Sequence, residues 1–291
     1  MHNVPAAAQI VAAVSAASTS AAASAQPGPE AVSAASAAVA HTGLALLFDW
    51  LEYFITVPMV YIAIAFCLVA IVVRMVKVAR SPAPFQLALY PAVDRPALAA
   101  LGDALGMSQI RRRKPVFWFF LMMFHVGLVL LLLGHLDILP QVNIVPPESR
   151  HMLGAGAVGL AVTIPAFYFM FRRFRGMNRQ ISVPSDYLLL LLLVFLFLLG
   201  DLMSWGNSWT AHGFVMTKAD FASYFDGLAR FTFADPRLVL HGSHYHFVVL
   251  HVLLANLLFL ILPFTKIAHA FFSVPLNVIR RAVWTTRQNK S

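Results

Sequence analysis

At 291 residues, 60% of them hydrophobic and only 11% charged, this chain falls far outside the composition of a soluble globular domain. Its formal net charge of +9 does not point to nucleic acid, because the Lys and Arg residues flank apolar runs instead of sharing a polar, aromatic-studded face. A single cysteine, Cys67, excludes internal disulfides, thiolate-held iron–sulfur clusters and a C-x-x-C-H haem attachment, so any redox group must draw on other ligands, and histidine is present eleven times.

Residues 1–43 are dominated by Ala, Ser and Val and turn at Pro27 to Pro29. They lack the basic start and Leu-rich core of a signal peptide, and read instead as a disordered extension or an over-called start. Five apolar stretches follow, each close to the roughly 20 residues that cross a hydrocarbon core of about 30 Å. The first runs from Leu44 to Val73, with Trp50 and Tyr53 at the interface and Pro58 permitting a bend. The second covers Pro115 to Leu136, the third Leu153 to Phe171, the fourth Pro184 or Asp186 to Met203, and the fifth His246 to Phe272.

The expected fold is therefore all-α, a five-transmembrane-helix bundle over residues 44–285 with a short tail at 286–291. Cations set its orientation, since Lys and Arg accumulate in cytoplasmic loops. Arg80, Arg95, Arg111, Arg112, Arg113 and Lys114 follow the first span, Arg172, Arg173, Arg175 and Arg179 follow the third, and Arg280, Arg281, Arg287 and Lys290 end the chain. The N-terminus is expected outside and the C-terminus in the cytoplasm, in the inner membrane of a bacterial cell.

Imidazole is costly within hydrocarbon, which makes intramembrane histidines functional candidates. His125 and His135 lie ten residues apart on the second span, and His251 and His269 eighteen apart on the fifth. The second span rises from the cytoplasm and the fifth descends, so His125 and His269 fall in the inner half and His135 and His251 in the outer half. At about 100° per residue, His251 and His269 also return to one helical face. Two level couples result, His125 with His269 and His135 with His251. Iron held by histidine on both axial sides is saturated, which suits electron transfer, and two such haems at different depths would form a wire. Structural zinc would need four ligands converging on one point. Hydrogen bonds to neighbouring helices would explain any one of these residues more readily than all four.

Around the ligands, Gly127 and Gly134 could admit a flat porphyrin, and close helix packing would explain them equally well. Pro263 could bend the fifth span. Asn256 could orient a ring or bridge helices, and Asp201 could belong to a proton path or simply end the fourth span with Trp205 and Trp209. His241, His244 and His246 have the density of a metal site but no carboxylate or cysteine among them, and read better as a solvated interfacial cluster. Arg111 to Lys114 could hold haem propionates or an acidic partner, though membrane anchoring suffices to explain them.

At these residues the sequence resembles the gamma subunit of respiratory nitrate reductases. The likeness rests on Phe124-His125-Val126-Gly127, Gly134-His135, Leu250-His251, and Pro263-Phe264-Thr265-Lys266 continuing through His269, Ser273 and Pro275. It covers roughly residues 44–285 and implies two haem b groups with the same ligand couples. A second likeness, in VARSPAPF at Val78 to Phe85, is to the cytochrome b subunits of the sulfite-reduction-associated Dsr membrane complex and its Tmc-type relatives. Those relatives and the heterodisulfide-reductase membrane subunits exchange electrons between menaquinone and a cytoplasmic iron–sulfur protein. The Ala-rich extension and the long outer segment from Ser204 to Tyr245 depart from the pattern, and an outer multihaem cytochrome could dock on the latter.

The resemblance implies quinone chemistry near the outer haem, with menaquinone or another quinone as the diffusible substrate. His135, Arg150 and His151 are the candidates for lining that site, although an interfacial Arg-His pair is also a common anchor. The leading expectation is a dihaem b subunit whose substrate chemistry lies on a partner chain, in contact with membrane lipid and quinone and with no nucleic acid. The alternatives are a nitrate reductase gamma subunit proper and, in another class, a haem-free transporter or membrane anchor. The latter has no repeat or pair of broken helices in its favour.

Overall fold

The computed structural model describes residues 29–80, 95–139, 141, 142, 144, 156–209, 218–240, 244–273 and 276–278. The chain divides into two compact units, Met1–Trp50 and Leu51–Ser291. The described part of the first is helix, and the functional geometry lies in the second. Among the described residues every regular element is helical. In chain order they are α1 (Pro29–Thr56), α2 (Pro58–Arg80), α3 (Pro96–Gly106), α4 (Ser108–Arg113), α5 (Pro115–Leu136), α6 (Ala157–Arg173), α7 (Gly176–Ile181), α8 (Pro184–Trp209), α9 (Lys218–Ala229) and α10 (Tyr245–Ile261). Six of these helices after α1 open on or just past a punctuating Pro or Gly. Pro58, Pro96, Pro115 and Pro184 stand at first helical positions, where a missing N–H costs nothing and the fixed φ suits the helix.

Four helical stretches are long and apolar enough to cross a membrane: Gly43–Arg80, Pro115–Leu136, Pro184–Ser204 and Tyr245–Phe264. By helix length and hydropathy the chain is a multi-pass membrane protein. The stretch expected as a third span contains α6, which at 17 residues is about 25 Å long and carries Pro165 inside it. The 29–43 segment, expected as part of an extension, lies within α1, which begins at Pro29.

The first apolar stretch breaks at Val57, one residue before Pro58. Proline cannot donate to the preceding turn, so backbone carbonyls there lose their helical partners. Two of them are taken over from elsewhere in the bundle. Asn256 Nδ2 of α10 donates to the Ile55 carbonyl at 2.9 Å, and the Tyr224 hydroxyl of α9 donates to the Thr56 carbonyl at 2.5 Å. Asn256 thus bridges helices and is buried in doing so.

The helices pack in the order α5, α6, α8, α10, α2. Val162, Ala166, Leu193 and Phe197 form the central core, against which Phe124 and Leu128 of α5 pack. Gly127 sits where α5 crosses α6. A methyl group there would lie 3.0 Å from Val162 Cγ1 and 3.1 Å from the Ala161 carbonyl oxygen, so this glycine serves close helix packing.

Cations gather at one end of the bundle. Arg172 lies over the Phe117 ring at 4.1 Å, Arg173 and Lys266 both reach Asp186, and Arg74 donates to the Pro263 carbonyl. At the opposite end the 218–240 segment lies against the bundle. Its helix α9 supplies Tyr224 to a second core with Ile55, Leu240, Tyr245 and Val248. The Tyr61 hydroxyl donates to the Leu228 carbonyl at 2.8 Å, and Gln141 Nε2 donates to Asp226 Oδ1 at 2.5 Å.

The fifth stretch departs from expectation. It is not one helix from His246 to Phe272, because α10 ends at Ile261 and gives way to two 3-10 turns, Leu262–Phe264 and Lys266–Ala268. Thr265 between them is extended, at φ −95° and ψ 173°. Pro263 is the cause, since it can neither donate to the turn before it nor tolerate that turn's carbonyl.

Candidate functional site

The four candidate histidines meet in two couples. His125 and His269 have ring centres 6.2 Å apart with planes crossed at 70°. His135 and His251 have ring centres 6.5 Å apart with planes within 8° of parallel. The first couple lies toward the cationic end and the second toward the opposite end. Ten residues of continuous α5 separate His125 from His135 by about 15 Å. Eighteen residues of unbroken helix would separate His251 from His269 by about 27 Å, carrying His269 well past the level of its partner. The broken backbone after Ile261 is what lets His269 meet His125.

Three of the four rings are fixed through Nδ1. His125 Nδ1 bonds the Leu121 carbonyl at 2.7 Å, His135 Nδ1 the Leu131 carbonyl at 2.8 Å, and His269 Nδ1 the Lys266 carbonyl at 2.7 Å. A carbonyl can only accept, so Nδ1 carries the proton in each and Nε2 keeps its lone pair. His251 Nδ1 is buried without a hydrogen bond of good geometry. Gly200 makes room for that ring, since a methyl group there would sit 3.4 Å from His251 Cε1. Gly134, adjacent to His135, meets nothing within 4 Å.

Other residues singled out in the sequence have different surroundings. Arg150, His151 and His241 lie outside the described residues. His246 Nδ1 is 2.8 Å from Glu52 Oε1, and the His244 ring stacks on Phe247. Among the described residues no three His, Cys, Asp or Glu side chains gather as a metal group. Asp201 is buried, and one of its oxygens accepts from the Thr163 hydroxyl at 2.7 Å. Its other oxygen lies over Gly159, where a side chain would clash. Arg111 lies over the Trp118 ring, and Trp118 Nε1 donates to the Gly106 carbonyl at 3.0 Å.

Reasoning from the sequence missed four contributors. Asp186, 4% exposed, was legible only as the start of a span, yet it binds both Arg173 and Lys266 at 2.8 Å. Lys266 was legible as a motif position without a role. Gly200 and Gly159 carried no signal in the sequence, because their neighbours come from other helices.

A family profile described as nitrate reductase gamma subunit matches residues 104–289, a segment that contains all four histidines. The chain belongs to the nitrate reductase gamma subunit family. As a nitrate reductase gamma-like membrane subunit it has an implied quinol-linked electron-transfer role, in a respiratory complex with other subunits. A comparison with curated proteins finds no match.

Membership of the nitrate reductase gamma subunit family suggests haem b, and the residues present fit that group. A metal–imidazole bond of about 2 Å on each side of one iron puts the two ring centres about 6 Å apart. Both couples have that spacing. Three of the four rings have Nδ1 held by a backbone carbonyl, which leaves Nε2 as the metal-facing nitrogen and raises ligand basicity. The two histidine-bearing helices, α5 and α10, are not among the directly packed pairs of the bundle.

Proposed function

We propose that this chain is the dihaem b membrane subunit of a respiratory oxidoreductase, passing electrons between the quinone pool and a cytoplasmic iron–sulfur subunit. The observation that carries this reading is the meeting of four intramembrane histidines in two couples, 6.2 and 6.5 Å between ring centres, at two levels of one bundle. His125 and His269 would hold the inner haem and His135 and His251 the outer one. Haem with histidine on both axial positions supplies reversible one-electron transfer without an open site for oxygen. The chain's own part is to keep the imidazoles aimed. The carbonyls of Leu121, Leu131 and Lys266 lock three rings by their Nδ1 protons, so little reorganisation is left when the charge at the metal changes.

The orientation follows from charge. Lys and Arg favour the cytoplasmic side, so the cationic end faces inward, with five crossings, the N-terminus outside and the C-terminus in the cytoplasm. The quinone then reacts near His135, with Arg150 and His151, which precede α6 in the chain, as its binding candidates. A quinol oxidised there would release protons outward while its electrons run inward. Dsr, Tmc-type and heterodisulfide-reductase membrane subunits supply the pattern of partners, on the strength of VARSPAPF at Val78 to Phe85. A nitrate reductase gamma role proper differs only in the enzyme that receives the electrons.

Purified full-length protein reduced with dithionite should show the sharp visible bands of six-coordinate haem b, at two haems per chain. His125→Ala and His135→Ala should each lose one of the two, by haem assay against protein. Retention of both haems in both variants would sink the reading. The partner set is tested by what co-purifies in mild detergent, an iron–sulfur protein of the heterodisulfide-reductase type or a molybdenum enzyme.

A further inference from the structure

His269 is the only one of the four ligand candidates that stands directly after irregular backbone, at the start of a renewed helical turn. It follows two three-residue 3-10 turns, and turns of that length have little stability of their own. Thr265 stiffens the second turn, since its hydroxyl oxygen accepts from the Ile267 amide at 3.3 Å and its hydroxyl donates to the Leu262 carbonyl at 3.0 Å. The turn is tied to the bundle on two sides. Arg74 of α2 donates to the Pro263 carbonyl, and the Lys266 ammonium lies 2.8 Å from Asp186 Oδ2 at the start of α8.

Lys266 is also the residue whose carbonyl holds the His269 ring through Nδ1. One residue therefore links the ring to Asp186, by its carbonyl at one end and its ammonium at the other. Asp186 is 4% exposed, while Arg173 and Lys266 are 30% and 68% exposed. The carboxylate is the buried hub and the cations come to it from the rim. A buried charge left half-paired is costly, which makes such a hub stringent about where its partners stand.

We propose that Asp186 is the positioning residue of the inner histidine couple: by holding Lys266 it fixes the plane of the His269 imidazole and so sets the crossed arrangement and the potential of the haem bound there. This rests on the dihaem reading above. The two couples differ in a way that spectroscopy reads. Parallel imidazole planes raise the same iron dπ orbital and split the pair widely, whereas crossed planes raise both alike and leave them nearly degenerate. The oxidised inner haem, with planes at 70°, should give the more anisotropic low-spin EPR signal, and the outer, at 8°, the more rhombic one.

The test uses the full chain in mild detergent, in wild type, Asp186→Asn and Asp186→Glu, reading haem content, EPR of the oxidised form and a redox titration. Asp186→Asn removes a negative charge and leaves two cations uncompensated, which favours the reduced metal. The expected result is a loss of anisotropy in the inner signal and a rise in the inner midpoint potential, with the outer haem unchanged and Asp186→Glu restoring both properties. Selective loss of one haem, regained in Asp186→Glu, supports the same role. Unchanged signals in Asp186→Asn, or equal disturbance of both haems in both variants, would overturn it. Wild-type protein without two distinguishable haems would instead overturn the dihaem reading on which it depends.

Discussion

Two glycines show how much a single methyl group decides in this bundle. Gly159 lies under the Asp201 carboxylate, and a Cβ there would overlap Oδ1 of a side chain whose other oxygen is already fixed by Thr163. Gly159→Ala should therefore force α6 from α8 and cost about 1–3 kcal/mol, seen as a lower melting temperature in detergent. Gly134→Ala is the counterpart, because nothing of the chain lies within 4 Å of the added methyl. It should leave the melting temperature of the chain intact and lower the content of the outer haem, whose face would take the clash. The histidine couples were legible from the sequence because imidazole is rare in hydrocarbon and its spacing can be read as depth. Gly159 and Asp201 were not, since their meeting depends on how two helices lie against each other.

Among the elements, the broken fifth stretch is the one that periodicity misread. Helical spacing placed His251 and His269 on a common face, and so suggested a continuous helix, but it did not weigh the length of that helix against the shorter reach of α5. Pro263 was visible in the sequence as a place to bend. The two turns and the extended Thr265 were not, because their geometry is held by Arg74 and Asp186 from other elements. Pro263→Ala restores an amide donor and lets helix run on through the turn, carrying His269 away from His125. The expected outcome is loss of the inner haem with the outer retained, measured as one haem per chain and disappearance of the more anisotropic signal. The break at Pro58 is different in kind. The sequence predicted the bend, while the partners of the freed carbonyls, Asn256 and Tyr224, come from far along the chain.

For the molecule as a whole, the end toward which Arg74, Arg172, Arg173 and Lys266 converge should face the cytoplasm. A cysteine placed at Arg112 should react with a membrane-impermeant maleimide only in inside-out vesicles, and one at Leu238 only from the outer side. Cys67 is buried and should contribute little background. Labelling of both from one side would invert or abolish the proposed topology. Composition made a helical, multi-pass plan legible, whereas the covering of one end by α9 depended on tyrosine hydroxyls finding distant carbonyls. The most exposed of the long apolar helices is also the one that bears two of the four histidines: within its apolar window α5 is 6% buried, against 28–33% for the other three. Polypeptide alone gives it little to lean on. On the dihaem reading its final seating would belong to biogenesis, with porphyrin delivery and lipid as late structural components, so that supply of the prosthetic group would govern how long a newly made chain escapes proteolysis.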